Sequence, residues 1–131
     1  MAQYVHDRPM TCTAAVSRFR AVIMDTSKDQ SVSPPGAANA RVFGICQEEV
    51  SAGDVTNGRV VDIRVEGVST CVANSAITRG DQVRGADTTG RLETVTATTA
   101  KQYQVGIALT SAGAQGDWIE VLLTPGEQID T

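Results

Sequence analysis

Apolar and polar positions alternate along this chain in short bursts, and no stretch longer than about ten residues holds a helical period free of Gly or Pro. The cleanest burst is Val61, Ile63 and Val65 against Asp62, Arg64 and Glu66, the pattern of a strand with one face in a core. Gly67 interrupts it, and Val68 to Ala73 continues as a weaker strand containing Cys71. Upstream, Phe19 to Met24 predicts a first strand with Phe19, Ala21 and Ile23 on one face, and Arg41 to Cys46 another with Phe43 as a core aromatic. Downstream come Gln82 to Ala86, Arg91 to Ala97, and then Tyr103, Val105, Ile107 and Leu109 at period two with Gly106 opposite them. A glycine inside a strand marks a bulge or the close approach of another backbone. The most apolar run, Trp118 to Leu123, is closed by Thr124-Pro125-Gly126. It puts Ile119, Val121 and Leu123 on one face and Trp118 and Leu122 on the other, which predicts a strand buried on both sides or set at a subunit interface.

The punctuation between these runs recurs. Gly53-Asp54, Gly80-Asp81 and Gly116-Asp117 are each followed within two residues by Val or Ile. Each predicts a turn that leads into a strand, with the Asp bonding its own downstream backbone. Asn57-Gly58 predicts a type I′ hairpin and Asp87 to Gly90 a turn between two short strands. A short helix fits only around Glu48 or over Ala97 to Gln102. The fold class is therefore mainly β, a small β-barrel or sandwich-like domain over residues 18–126. Residues 1–17 show no period and predict an extended N-terminal arm, residues 26–40 (ending DQSVSPPGAANA) a long Pro/Ser/Ala loop, and residues 127–131 a C-terminal tail.

Composition narrows the reading. Apolar residues make up 41% of the chain but aromatics only 4%, so little apolar area is available per residue and burial in an oligomer is expected to add stability. The net charge is −4, with a slightly basic first twenty residues (Arg8, Arg18 and Arg20 against Asp7) on an acidic body. That distribution suits a protein partner and offers no basic, aromatic-interleaved stripe for nucleic acid. Cys12, Cys46 and Cys71 are an odd set without metal-ligand spacing, expected to be reduced thiols, with Cys46 and Cys71 on predicted strands. No apolar run approaches the roughly 20 residues that span a bilayer. MAQYVHDRPM lacks the pattern of a secretory signal, so synthesis in the cytoplasm is expected.

Catalytic chemistry finds no foothold. His6 is the only histidine, and it lies in the expected arm without a plausible partner. The Gly-Asp aspartates lack the dense oxygen spacing of a calcium loop, and no phosphate-binding or nucleophile-elbow motif is present. No enzyme, cofactor or metal is expected.

The stretches GVSTCVANSAITRGDQVRGADTTGRL (67–92) and QVGIALTSAGAQGDWIEVLLTPG (104–126), with VFGIC at 42–46, resemble the head decoration, or capsid cement, proteins of tailed bacteriophages. The shared pattern is a Gly-Asp turn after a strand, a small hairpin, and a final Gly-Asp strand closed by Pro-Gly. The resemblance implies a structural virion protein, made in the host cytoplasm, that binds the major capsid protein on the outer capsid surface. It also implies assembly as a homotrimer and an N-terminal arm clasping the shell. On that reading Val5, Arg8, Arg18, Arg20, Pro34 and Pro35 are the expected capsid contacts, and Trp118 and Leu122 the subunit interface. Residues 1–40 carry no motif that aligns. Two other classes stay open: a non-catalytic small β-barrel accessory or binding subunit of a cellular complex, and a lipoyl- or biotinyl-carrier domain. The second would need a hairpin lysine, whereas the lysines here are Lys28 and Lys101.

Overall fold

The computed structural model describes residues 5–96 and 101–129, which form nine strands and one short helix. In chain order these are β1 (His6–Cys12), β2 (Ala21–Met24), β3 (Ser31–Ser33), β4 (Gly44–Cys46), α1 (Ala52–Thr56), β5 (Val60–Val72), β6 (Gln82–Gly85), β7 (Leu92–Thr94), β8 (Lys101–Ala108) and β9 (Trp118–Ile129). β1, β3, β2, β4 and β5 pair in that order, and β1 pairs back onto β5 to close a five-strand barrel. β5 then continues into a second sheet in the order β5-β9-β8-β6-β7, whose ends meet at an Ala73–Leu92 bridge.

β5 belongs to both halves: Val61, Ile63 and Val65 alternate with polar residues in its first part, and beyond Gly67 its inward positions are the small residues Ser69 and Cys71. Val61 and Ile63 are buried in the barrel, and Ser69 and Cys71 in the second sheet. Gly67, at φ 92, is the point of exchange: β5 pairs with β1 and β4 before it and with β9 from Gly67 onward. Each half has its own core. Val22, Val32, Cys46, Val61 and Ile63 fill the barrel, whereas Cys71, Val83, Leu92, Ile119 and Val121 fill the second sheet with Ile45 and Ala21 added from the barrel strands. The β6–β7 hairpin tip locks the halves together. Gly90 has φ 80 and its carbonyl accepts from Ala21 N at 2.9 Å, an approach so close that a Cβ on Gly90 would stand 2.7 Å from Ala21 O.

Several expectations need correction. Residues 6–12 are extended, but as barrel strand β1 and not as a free arm: Met10 and Cys12 are core residues, and pairing with β5 runs from His6 to Thr11. Pro9 is tolerated because the ladder to β3 involves only Thr11 and Cys12, so at Pro9 the strand has a neighbour on one side only. The 26–40 loop contains β3, whose Val32 is fully buried, and Pro35 is buried behind it. Residues 127–129 of the expected tail prolong β9 against Lys101 to Tyr103.

Two punctuation marks also change meaning. Gly53-Asp54 lies inside α1, where Ser51 accepts from Asp54 N at 3.1 Å and the Asp54 carboxylate accepts from Ser51 N at 3.0 Å, a reciprocal cap. Asn57-Gly58 ends the same helix: Gly58 has φ 68, Gly58 N donates to Val55 O and Arg59 N to Asp54 O, the double bond of a Schellman end. The other two Gly-Asp pairs are true turns. Gly80 and Gly116 both have φ 91. Their carboxylates bond upstream, Asp81 to Thr78 N and Asp117 to Gly113 N and Ala114 N, where downstream bonding was expected. The two turns also interlock reciprocally, since Gly80 N donates to Ala108 O, Gly116 N to Ala73 O, and Ile77 and Ala112 exchange both their backbone bonds. The helix expected as an alternative over Ala97 to Gln102 lies mostly outside the described residues, and Gln102 is in β8.

Candidate interaction surface

β9 carries its two faces out to opposite fates. Ile119, Val121 and Leu123 are buried, while Trp118 is 64% and Leu122 is 38% exposed. In register, Leu122 lies between Val68 of β5 and Ile107 of β8, and Leu109 follows beside Glu120 through an N–H···O bond of 2.7 Å. Val68 and Ile107 are half-buried and Leu109 exposed, so the outer face of this sheet is a largely apolar strip, interrupted before Trp118 by the exposed Glu120 and by Thr70 opposite it.

The strip ends in an aromatic corner. Phe19 sits edge-on to Trp118 with ring centroids 5.1 Å apart and an interplanar angle of 81°. The chain turns there through a left-handed residue, Phe19 at φ 63, held by its N–H to Cys46 O at 2.8 Å. The strand expected from Phe19 therefore begins only at Ala21, and Phe19 points away from that strand's core. Arg18 stacks its guanidinium 4.7 Å from the Phe19 centroid and donates Nε to Gln47 O. Arg20 is half-buried and donates to Thr89 O at 2.9 Å. Burial, and then the neighbouring charge of Arg91, lower its pKa from the usual arginine value. The Nε atoms of Arg20 and Arg91 are buried without a hydrogen-bond partner among the described residues.

A second feature lies along the seam between the halves, where Met24, Phe43, Val65 and Pro125 line a groove bordered by Arg8, Arg41 and Tyr103. Phe43 is half-buried, its ring forming groove wall as well as packing against the barrel core. The bulge between Gln104 and Gly106 builds this wall: it buries Val105 and Ala108 while Tyr103 and Ile107 stay half-buried and Leu109 exposed, so the four residues expected on one face divide between two. Gly106 makes the bulge possible, because a Cβ there would stand 2.1 Å from Leu122 O.

Of the expected contact residues, Val5 and Arg8 are exposed on or beside β1, and Arg18 and Arg20 flank the aromatic corner with Trp118. Pro34 is half-buried and Pro35 buried, so the Pro-Pro pair is partly withdrawn from any partner. Met24, Arg41 and Tyr103 were not singled out by sequence. The only available signal was Arg41 placed directly before an apolar run.

All three cysteines are free and buried. Burial pushes the Cys71 thiol up to about 12, and the hydrogen bond with Cys46, followed by burial, raises Cys12 well above the usual thiol range. His6 is exposed on β1. Among the described residues no group of His, Cys, Asp and Glu could hold a metal ion, and no helix is long and apolar enough to cross a membrane.

Comparison with known proteins agrees with this architecture. The family model described as phage cement protein matches residues 3–123. The crystal structure of the head fiber gp8.5 N base of bacteriophage phi29 superposes with a TM-score of 0.67 at 14% identity, covering 92% of this chain and 95% of that one. No curated protein matches the sequence.

Proposed function

Because this chain belongs to the phage cement protein family, we propose that it is a structural, non-catalytic virion protein that binds the major capsid protein on the outer surface of a phage head and stabilises it. The observation that carries the reading is the extent of the family match, residues 3–123, which takes in both halves of the fold and the shared strand β5. Its fold is also that of a protein whose name places it in a head fiber.

Mechanistically, cementing is multivalent surface binding. Three linked copies raise the effective concentration of each contact, so modest single contacts give tight overall attachment. Trp118 and Leu122 supply the subunit interface in this proposal: they are large, apolar and exposed on one face of a rigid sheet, and Trp is a preferred anchor at interfaces. Val5, Arg8, Arg18 and Arg20 supply capsid contacts. The chain is made in the host cytoplasm and joins heads there.

The test is co-sedimentation of the purified chain with undecorated, expanded phage heads. Saturable binding at multiples of three copies per capsomer junction, with heads that then resist heat or low salt better, is the expected result. A chain that stays in the supernatant at every concentration overturns the proposal.

A further inference from the structure

The seam groove is divided by one aromatic ring. On one side of Phe43 a hollow of about 460 Å³ is closed by Tyr103 and Pro125, and on the other a hollow of about 380 Å³ is closed by Met10 and Val65. Met24 borders both and is 44% exposed. We propose that this groove binds an extended peptide segment of a partner protein, with an apolar side chain in each hollow and a carboxylate against Arg8. The proposal rests on the capsid-associated reading only for which partner supplies the segment.

Size and spacing favour that occupant. Each hollow is of the volume that receives a compact organic group. An extended peptide places alternate side chains on one face about 7 Å apart, a spacing suited to straddling a single ring. A methionine on the wall adapts its shape to different apolar side chains, as at other peptide-binding surfaces.

Charge selects among apolar peptides. Arg8 and Arg41 border the hollows, and among the described lining residues there is no Asp or Glu, in a chain whose net charge is −4. The Arg8 side chain makes no hydrogen bond or ion pair among the described residues. The Arg41 guanidinium lies 4.9 Å from the Tyr103 ring centroid, which makes the opposite end of the groove an aromatic rim. An acidic, apolar segment complements both features, and a basic one is opposed by Arg8.

The experiment uses the full-length chain and a short capped peptide with two leucines two positions apart, flanked by aspartates; the control peptide has lysines in place of the aspartates. Binding is read by fluorescence anisotropy and by backbone amide shifts. Sub-millimolar binding of the acidic peptide is expected, with shifts centred on Met24 and Phe43 and about tenfold weaker binding of the lysine peptide. Arg8→Glu should reverse that preference, and Met24→Asp should abolish binding of both peptides without lowering the melting temperature. The proposal is overturned if neither peptide binds, if both bind equally, or if the shifts centre on Trp118. It is also overturned if Met24→Asp instead breaks up an oligomer, which would make a second copy the occupant. Because no heads are present, the two proposals fail separately. Peptide selectivity in a chain that ignores heads sinks the capsid reading alone, and head binding without peptide selectivity sinks the groove alone.

Discussion

Gly106 shows how much of this fold hangs on single atoms. Its missing Cβ lets Leu122 O approach to within 2.1 Å of where that atom would be, and Val121 Cγ1 to 2.8 Å. The obstacle is mainly backbone, so it cannot swing aside. Gly106→Ala should cost about 3 kcal/mol or more of the roughly 5–15 kcal/mol that holds a domain of this size folded. Gly113→Ala, where the nearest atom stands at 3.8 Å, should be nearly neutral, and paired urea denaturation curves compare the two. The close approach at Gly106 was legible in sequence because a lone glycine between apolar strand positions gives up packing area that only a bulge or a neighbouring backbone makes good. Asn57-Gly58 misled for a related reason: positive φ at glycine serves a hairpin and a helix end equally well, and only the bonds to Val55 and Asp54 separate them.

Asp25 gives the residue scale its pH dependence. The Ser27 hydroxyl, then the Thr13 hydroxyl at 2.7 Å and the Ser27 amide, hold its carboxyl down at about 2, from an ordinary 3.8. A depressed folded-state pKa means that the contribution is complete above the ordinary value and is lost as pH falls through the folded one. Melting temperature should therefore fall between about pH 4 and pH 2, and Ser27→Ala should make that fall shallower while raising the Asp25 titration midpoint. An unchanged carbon-13 titration of the Asp25 carboxyl in the variant would show the hydroxyl to be without effect.

At the scale of the element, legibility followed length and period. The first half of β5 and the first half of β9 were readable because the runs Val61 to Glu66 and Trp118 to Leu123 leave little choice of face. β3 was not, since Ser31-Val32-Ser33 is too short to show a period and Pro34-Pro35 follows at once. β1 was hidden by Pro9 and by the consecutive polar residues His6, Asp7 and Arg8, and it declares itself only through its partners, β5 above all. A consequence follows for any attempt to probe residues 2–16 by deletion. Such a chain loses a strand of the closed barrel together with Met10, Cys12 and Val16 of its core, so cooperative thermal unfolding by circular dichroism should disappear. Loss of head binding in that variant would then report unfolding, and contacts on β1 are better tested by Arg8→Glu in the intact chain. The helix end offers a milder case: Gly58→Ala forces a left-handed alanine and should cost about 1 kcal/mol in the same denaturation assay.

The whole molecule is two sheets that share one strand, and that arrangement was beyond the sequence. Gly67 reads as an interruption of β5, whereas in the fold it is where β5 exchanges β1 and β4 for β9; nothing local distinguishes a strand that stops from one that changes neighbours. The outward strip is a different matter, because alternation along β9 by itself puts Trp118 and Leu122 on one face. Trp118 is the only tryptophan, so its fluorescence reports this face without labelling. A free chain with that indole 64% exposed should emit at long wavelength. If the strip joins copies, emission should move to shorter wavelength as protein concentration rises, in step with the mass measured by sedimentation, because association removes water from the ring. Leu122→Asp, which leaves the reporter in place and puts charge in the middle of the strip, should hold both signals at their dilute values. Should the blue shift survive that substitution, or appear only when heads are added, the strip would face the capsid and the subunits would meet through another surface.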